Sequence, residues 1–357
     1  MEKINNYLIL FADLIGSTEV AAEVTPSFFA RTYIASYHWA ARQAKRYIEE
    51  NPFEHEKFQK KIDFNEIRIS GDEVLSFSSV EETPNNKPEL EDMIASAVAF
   101  AYVMKLYWLA SPYNLRRMLD KQFPRDIAVG IHIGPAVTVP SDKDEKVTQI
   151  ASFHINVTKR IENKARAGSE SKIFASYDVA DMFKGWLERR QKDSFKDRSP
   201  LSFTEFTRRQ DGDSVKGVSK KLLLLELAWA KGSITGLMSL LSQLIITPEK
   251  RDIDAEPAAQ TLANIFLPAE KLPFRYDEKL AIDLLNLKAD TNAEYIARWF
   301  EAVDGQCRLF FDECWFVLNC YIISCAMLRH PVVNEEQKEK YVEIAHKIFE
   351  RLVELIK

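Results

Sequence analysis

The chain has 357 residues, too many for one typical domain and about right for two. Apolar residues make up 46%, enough for ordinary cores, and a net charge of −5 argues against a nucleic-acid binder, which would carry a basic face. The acidic balance leaves a small anionic substrate open, because a metal ion can bring the missing positive charge.

Met1 to Asn6 is polar, and the apolar run Tyr7 to Ala12 is too short for a signal-peptide core. That run predicts a strand buried on both faces, with Asp13 at its end. Gly16-Ser17-Thr18 turns into a helical segment that continues past Pro26 to about Glu50. Asn65 to Phe77 predicts a β-hairpin: Glu66 to Ser70, a Gly71-Asp72 turn, then Val74 to Phe77. Glu81 to Asp92 is a polar linker, and Glu91 to Leu109 a helix with a broad apolar face. Ile127 to Ile133 alternates as a strand ended by Gly134-Pro135, with Ala136 to Val139 as its partner and Ser141 to Lys146 as a charged loop. Ser152 to Ala167 is helical and stops at Gly168, a left-handed terminator. A strand at Lys172 to Ser176, a helix from Ser176 to Arg190, a charged hairpin arm from Gln191 to Ser214 and a strand at Leu222 to Leu227 follow.

Beyond that the pattern changes. Ile234 to Ile246, Tyr276 to Leu287, Ala293 to Val303, Cys307 to Leu328 and Glu335 to Ile356 all carry helical spacing, and no strand stands out. The division predicted is residues 1–230, mixed α+β, and residues 231–357, all helical. Trp315 to Leu328 is apolar but shorter than the roughly 20 residues a bilayer span needs. It reads as a buried or interface helix, with no membrane as partner. Cys307, Cys314, Cys320 and Cys325 suit neither a zinc site nor a disulfide framework and read as buried small apolar residues. A cytoplasmic protein is expected.

Two carboxylates stand where ligands collect at a sheet edge: Asp13 after the first strand and Asp72 in the hairpin turn. On neighbouring strands they could bridge a pair of magnesium ions, which bind triphosphate oxygens and activate a hydroxyl. The Gly16-Ser17-Thr18 turn would point backbone N–H groups and a helix N-terminus at phosphates. Taken singly, Asp13 reads equally as a helix N-cap and Asp72 as a plain turn residue.

The segments together say more. Phe11-x-Asp13-x-x-Gly16-Ser17-Thr18, Gly71-Asp72, Val129-Gly130-Ile131-His132-Ile133-Gly134, Asn156-x-x-x-Arg160 and Lys216-Gly217-Val218 resemble the class III adenylate and guanylate cyclases, in order, over roughly residues 5 to 228. The resemblance implies a ferredoxin-like βαββαβ core followed by the helical region, and a homodimer with shared active sites. It implies two Mg2+ or Mn2+ ions held by Asp13, Asp72 and the carbonyl of Leu14. Asn156 would orient the ribose, Arg160 would stabilise charge on the α-phosphate, and Lys216 would contact the terminal phosphates. Asn156 and Arg160 are four apart and share one helix face, and a planar guanidinium suits phosphate oxygens. His132, in an alternating strand, reads as a packed or surface histidine rather than a base.

Two base-contact positions depart from that family. Adenylate cyclases place a Lys, and guanylate cyclases a Glu, four residues before the second metal Asp, where this chain has Arg68. Seven residues before the ribose Asn, where adenylate cyclases carry Asp, this chain has Gln149. An arginine only donates hydrogen bonds, which suits the carbonyl edge of uracil or the ring nitrogen and carbonyl of cytosine. The layout is similar to the bacterial pyrimidine cyclases of the Pycsar anti-phage system. That similarity implies UTP, ahead of CTP, as substrate and a cyclic nucleotide, cUMP or cCMP, acting on a separate effector. A cytidylate or adenylate cyclase, and a catalytically degenerate nucleotide sensor, are the alternatives. Residues 231–357 show no catalytic constellation and read as a small helical domain with its own core.

Overall fold

The computed structural model describes residues 4–50, 61–62, 67–80, 87–141, 144–192, 203–208, 222–229, 314, 317–318, 321–322 and 335–356. Its contacts divide the chain into two compact units. One comprises Met1–Trp108 and Arg125–Thr235, and the other comprises Leu109–Pro124 and Gly236–Lys357. Leu109–Pro124, inside the region read from sequence as residues 1–230, thus belongs with the second unit.

The first unit is built on the apolar run near the N-terminus. Strand β1 (Ile4–Leu14) buries Tyr7 to Leu14 on both faces, so it takes the centre of a sheet. Helix α1 (Ser17–Glu23), a short turn α2 (Pro26–Phe28), a π-helical segment (Phe29–Ile34) and α3 (Ala35–Glu50) lead away from it. The hairpin of β2 (Ile67–Ser70) and β3 (Glu73–Val80) follows, then α4 (Lys87–Leu109), β4 (Ile127–Ser141), β5 (Asp144–Ala151), α6 (Phe153–Ala165), β6 (Ile173–Ser176), α7 (Tyr177–Lys192), β7 (Phe203–Arg208) and β8 (Leu224–Trp229). Strand order is β2-β3-β1-β4-β6-β8-β7, with β5 paired to β4. β1 is antiparallel to both β3 and β4, so the first four strands form the expected ferredoxin-like βαββαβ core, and β5 to β8 extend it.

Helix α4 begins at Lys87, inside the segment expected to be a linker, and Met93 to Trp108 is buried almost without interruption. It is the one helix among the described residues long and apolar enough to cross a membrane, and its apolar window is entirely buried, as in a core helix. Burial all round explains why its sequence shows no sharp polar face.

Two local expectations are corrected. Gly134-Pro135 does not end a strand: β4 runs unbroken to Ser141, and its partner is β5, which includes residues expected to be a charged loop. Pro135 lies opposite Asn6, near the end of β1, where a missing N–H is tolerated. Gly134 is small for another reason. A Cβ there would lie 2.2 Å from the His154 ring. Gly168 is not left-handed either. Among the described glycines positive φ is confined to Gly16 (80°) and Gly71 (58°). At Gly168 a Cβ would meet Glu226 Oε1 at 2.4 Å. The buried Glu226 carboxylate accepts the backbone N–H groups of Ser169, Glu170 and Lys172 at 3.3, 3.0 and 2.9 Å, which ties the loop before β6 to β8.

In the second unit, α5 (Pro112–Leu119) is capped by Ser111, and α8 (Glu335–Ile356) buries Ile344, Ala345, Ile348 and Leu352 along one stripe. Cys314, Val317, Leu318, Tyr321 and Ile322 are helical and buried. Its described residues contain no strand. The helices expected at 234–246, 276–287 and 293–303, and the other three cysteines, lie outside the described residues.

Candidate active site

Alternation along β1 places Tyr7, Ile9, Phe11 and Asp13 on one face. In register beside Asp13 stand Glu73 on β3 and Ala128 on β4, and beside Phe11 stand Leu75 and Gly130. Helix α6 lies on this face. A Cβ on Gly130 would come 2.5 Å from the carbonyl oxygen of Thr158 and 2.6 Å from the N of Glu162, so only glycine lets the helix backbone approach so closely. Ser152 starts the helix: its hydroxyl accepts from the His154 N–H at 2.9 Å and donates to the Pro135 carbonyl at 2.6 Å.

Asp13 is not an N-cap; Gly16 holds that position for α1. Asp13 is a strand residue, only 8% exposed. Burial raises its carboxyl to about 6; Arg166 pulls the other way, and the carboxylates of Asp72 and Glu73 push it further up. One oxygen, Oδ2, accepts from the Arg166 guanidinium, and the other, Oδ1, is buried without a hydrogen-bond partner. Asp72 sits in the two-residue turn with Gly71. Its carbonyl accepts the N–H of Leu14 at 3.2 Å, which stitches the turn to the end of β1. The buried Tyr37 hydroxyl donates to the carbonyl of Ala12 at 3.1 Å and anchors the same strand end from α3. The fold therefore sets the Asp72 turn beside the end of β1, near enough for the Asp72 carboxylate to push up Asp13.

Two features fit a divalent cation there: a buried carboxylate oxygen lacking a partner, and a neighbouring carboxylate that raises its pKa. Both oxygens are hard donors, suited to Mg2+ or Mn2+. Among the described residues no group of three or more His, Cys, Asp or Glu side chains forms a metal cluster, so any such site rests on two side chains supplemented by backbone, substrate or water.

The other predicted residues fall as follows. Gly16 adopts the left-handed conformation, and Ser17 and Thr18 open α1. Asn156 is exposed on α6; Arg160, one turn on, is half-buried with Nη1 lacking a partner. Neither bonds to Asp13 or Asp72 of its own chain. Arg68 lies on β2 opposite Leu75, its guanidinium carbon 5.0 Å from the centre of the Phe77 ring. Gln149 on β5 pairs with Val139 on β4, and Lys216 lies outside the described residues. His132 is packed, as expected. It is buried against His154, Nε2 to Nδ1 2.9 Å, and burial lowers it to about 4.

Sequence reasoning missed four residues around Asp13. Glu73 is paired with Lys159, whose ammonium lies 4.8 Å from the centre of the Phe11 ring. Glu162 is fully buried and pushed up to about 7 by burial. It accepts from Arg166 Nε at 2.9 Å. The i,i+4 spacing of Glu162 and Arg166 was readable, but nothing local connects either residue to β1.

No family model matches the chain, and no curated protein matches it. Solved structures do. The adenylyl cyclase CyaB from P. aeruginosa is 16% identical with a TM-score of 0.43, over 64% of this chain and 96% of that one. The guanylate cyclase domain of RhGC from Catenaria anguillulae, in complex with GTP, is 17% identical with a TM-score of 0.38, over 64% and 98%. A non-canonical dimeric guanylyl cyclase domain of the RhoGC fusion protein from Blastocladiella emersonii is 15% identical with a TM-score of 0.37, over 65% and 99%.

Proposed function

We propose that the chain is a class III nucleotidyl cyclase, converting a nucleoside triphosphate to its 3′,5′-cyclic nucleotide and pyrophosphate. The observation that carries this is the Asp13 carboxyl, buried with Oδ1 unpartnered and pushed up in part by the Asp72 carboxylate, whose turn is bonded to the end of β1 through Leu14. It joins the ordered motifs of the sequence. Asp13, Asp72 and the carbonyl of Leu14 are the residues that would hold two Mg2+ or Mn2+ ions. Those ions supply charge neutralisation at the triphosphate and acidify the 3′-hydroxyl.

The chain's own groups do the rest. The 3′-hydroxyl attacks the α-phosphorus in line and pyrophosphate leaves, a reaction that needs placement and charge more than covalent help. Asn156 holds the ribose. Arg160 meets the charge that develops on the α-phosphate, since a planar guanidinium suits phosphate oxygens. Lys216 and the N–H groups of the Gly16-Ser17-Thr18 turn bind the remaining phosphates. Asn156 and Arg160 serve the site of a second protomer in a homodimer, as the resemblance to the class III cyclases implies. Arg68, backed by Phe77, and the Gln149 region contact the base. A donor-only arginine favours UTP, then CTP, and the product acts in the cytoplasm on a separate effector in anti-phage defence.

The test is incubation of the protein with ATP, GTP, CTP and UTP separately in Mn2+, with chromatography of the products. Cyclic UMP is expected. Cyclic AMP or GMP would remove the base assignment and leave the catalytic one. No product from any tube would overturn the proposal in favour of a nucleotide sensor.

A further inference from the structure

Arg166 has no part in that reaction, yet it holds the carboxylate the reaction needs most. Its Nη2 donates to Oδ2 of Asp13 on β1. Its Nε donates to Oε1 of Glu162 on α6 at 2.9 Å. Both acids are buried, and each keeps one unpartnered oxygen, Oδ1 of Asp13 and Oε2 of Glu162. One guanidinium thus serves two buried carboxylates from two elements. Lys159 is engaged with Glu73.

The geometry points to Arg166 as a resident cation that competes with the divalent cation for Asp13, with Glu162 as the acceptor that retains Arg166 when it yields. This rests on the two-metal reading above. Oδ1 of Asp13 is buried but has no hydrogen-bond partner that a cation would have to displace. Oδ2 is not open until the guanidinium leaves it, and two positive groups around one carboxylate in a half-buried site repel. Glu162 already binds Arg166 through Nε, and its second oxygen can take the released Nη2, so the hand-over leaves no buried charge without a partner. Cation affinity is therefore held down in the nucleotide-free protein and rises when Arg166 is absent.

The experiment is Mn2+ titration of the full, nucleotide-free chain, with free Mn2+ followed by electron paramagnetic resonance. Wild type is expected to bind Mn2+ saturably, and Asp13→Asn to lose that binding. Arg166→Gln is expected to bind about tenfold more tightly, and Glu162→Gln to bind more weakly by a similar factor, because Arg166 then has Asp13 alone. Opposite shifts cannot come from a general loss of packing, which would weaken both. Unchanged or weaker binding in Arg166→Gln overturns the inference while leaving the metal reading in place. If Arg166→Gln fails to fold, Glu162→Gln decides, and unchanged or tighter binding there overturns it. Absence of Asp13-dependent Mn2+ binding in wild type would remove the metal reading itself, and this inference with it.

Discussion

Single residues carry the chemistry through contrasts in burial. Asp13 and Asp72 share the proposed metal site, and burial raises Asp13 to about 6 because it sits within a central strand, its side chain under α6. In the proposed reaction Arg160 meets charge that exists only as the α-phosphate reacts. Arg160→Ala is therefore expected to lower kcat by roughly 10² to 10³ with little change in KM, which steady-state kinetics checks. His132 gives a prediction in stability. Its folded value of about 4 lies below the ordinary 6.5, so between those values the unfolded chain binds more protons than the folded one. Its contribution is present at neutral pH and is lost as pH falls through that window, by up to about 3 kcal/mol. Asp13 and Glu162 are shifted upward and oppose this trend. The comparison must therefore be made against His132→Phe: wild type should lose more melting temperature than the variant between pH 7 and pH 5.

At the scale of elements, the site depends on how closely α6 lies on β1 and β4. Gly130 sets that distance, because both atoms a Cβ would strike are helix backbone. Gly130→Ala should cost about 1–3 kcal/mol in urea denaturation, the usual range for overpacking. It should also lower cyclase activity, by lifting the helix that carries Asn156 and Arg160. The hairpin shows the opposite economy of means. Gly71 accepts positive φ, Asp72 follows it, and one backbone hydrogen bond from Leu14 sets the turn beside β1. Both hairpin strands were legible because turn chemistry is local. The β4–β5 pairing was not. Gly134-Pro135 carries the local signal of a break, and only the ring of His154 above Gly134 explains a glycine inside a continuous strand.

At the scale of the whole molecule, the proposed reaction divides each site between two protomers, Asp13 and Asp72 from one and Asn156 and Arg160 from the other. Asp13→Ala and Arg160→Ala should each be nearly inactive. Mixed together they should recover activity, since one kind of heterodimer retains an intact site. No recovery on mixing would place Asn156 and Arg160 in the site of their own chain.

Sequence alone determined what is local. An unbroken apolar run marked the central strand, the Gly71-Asp72 pair marked a turn, and helical spacing placed Asn156 and Arg160 on one face of α6. Element order gave the alternation of strands and helices, and the ferredoxin-like core followed only from the resemblance of the ordered motifs to the class III cyclases. Tertiary structure decided the rest. Arg166 meets Asp13 across 153 residues of chain. The raised carboxyls of Asp13 and Glu162 follow from burial, and burial depends on which helix covers which strand. A residue's type fixes what it can bond, but its neighbours from distant segments set the charge it carries.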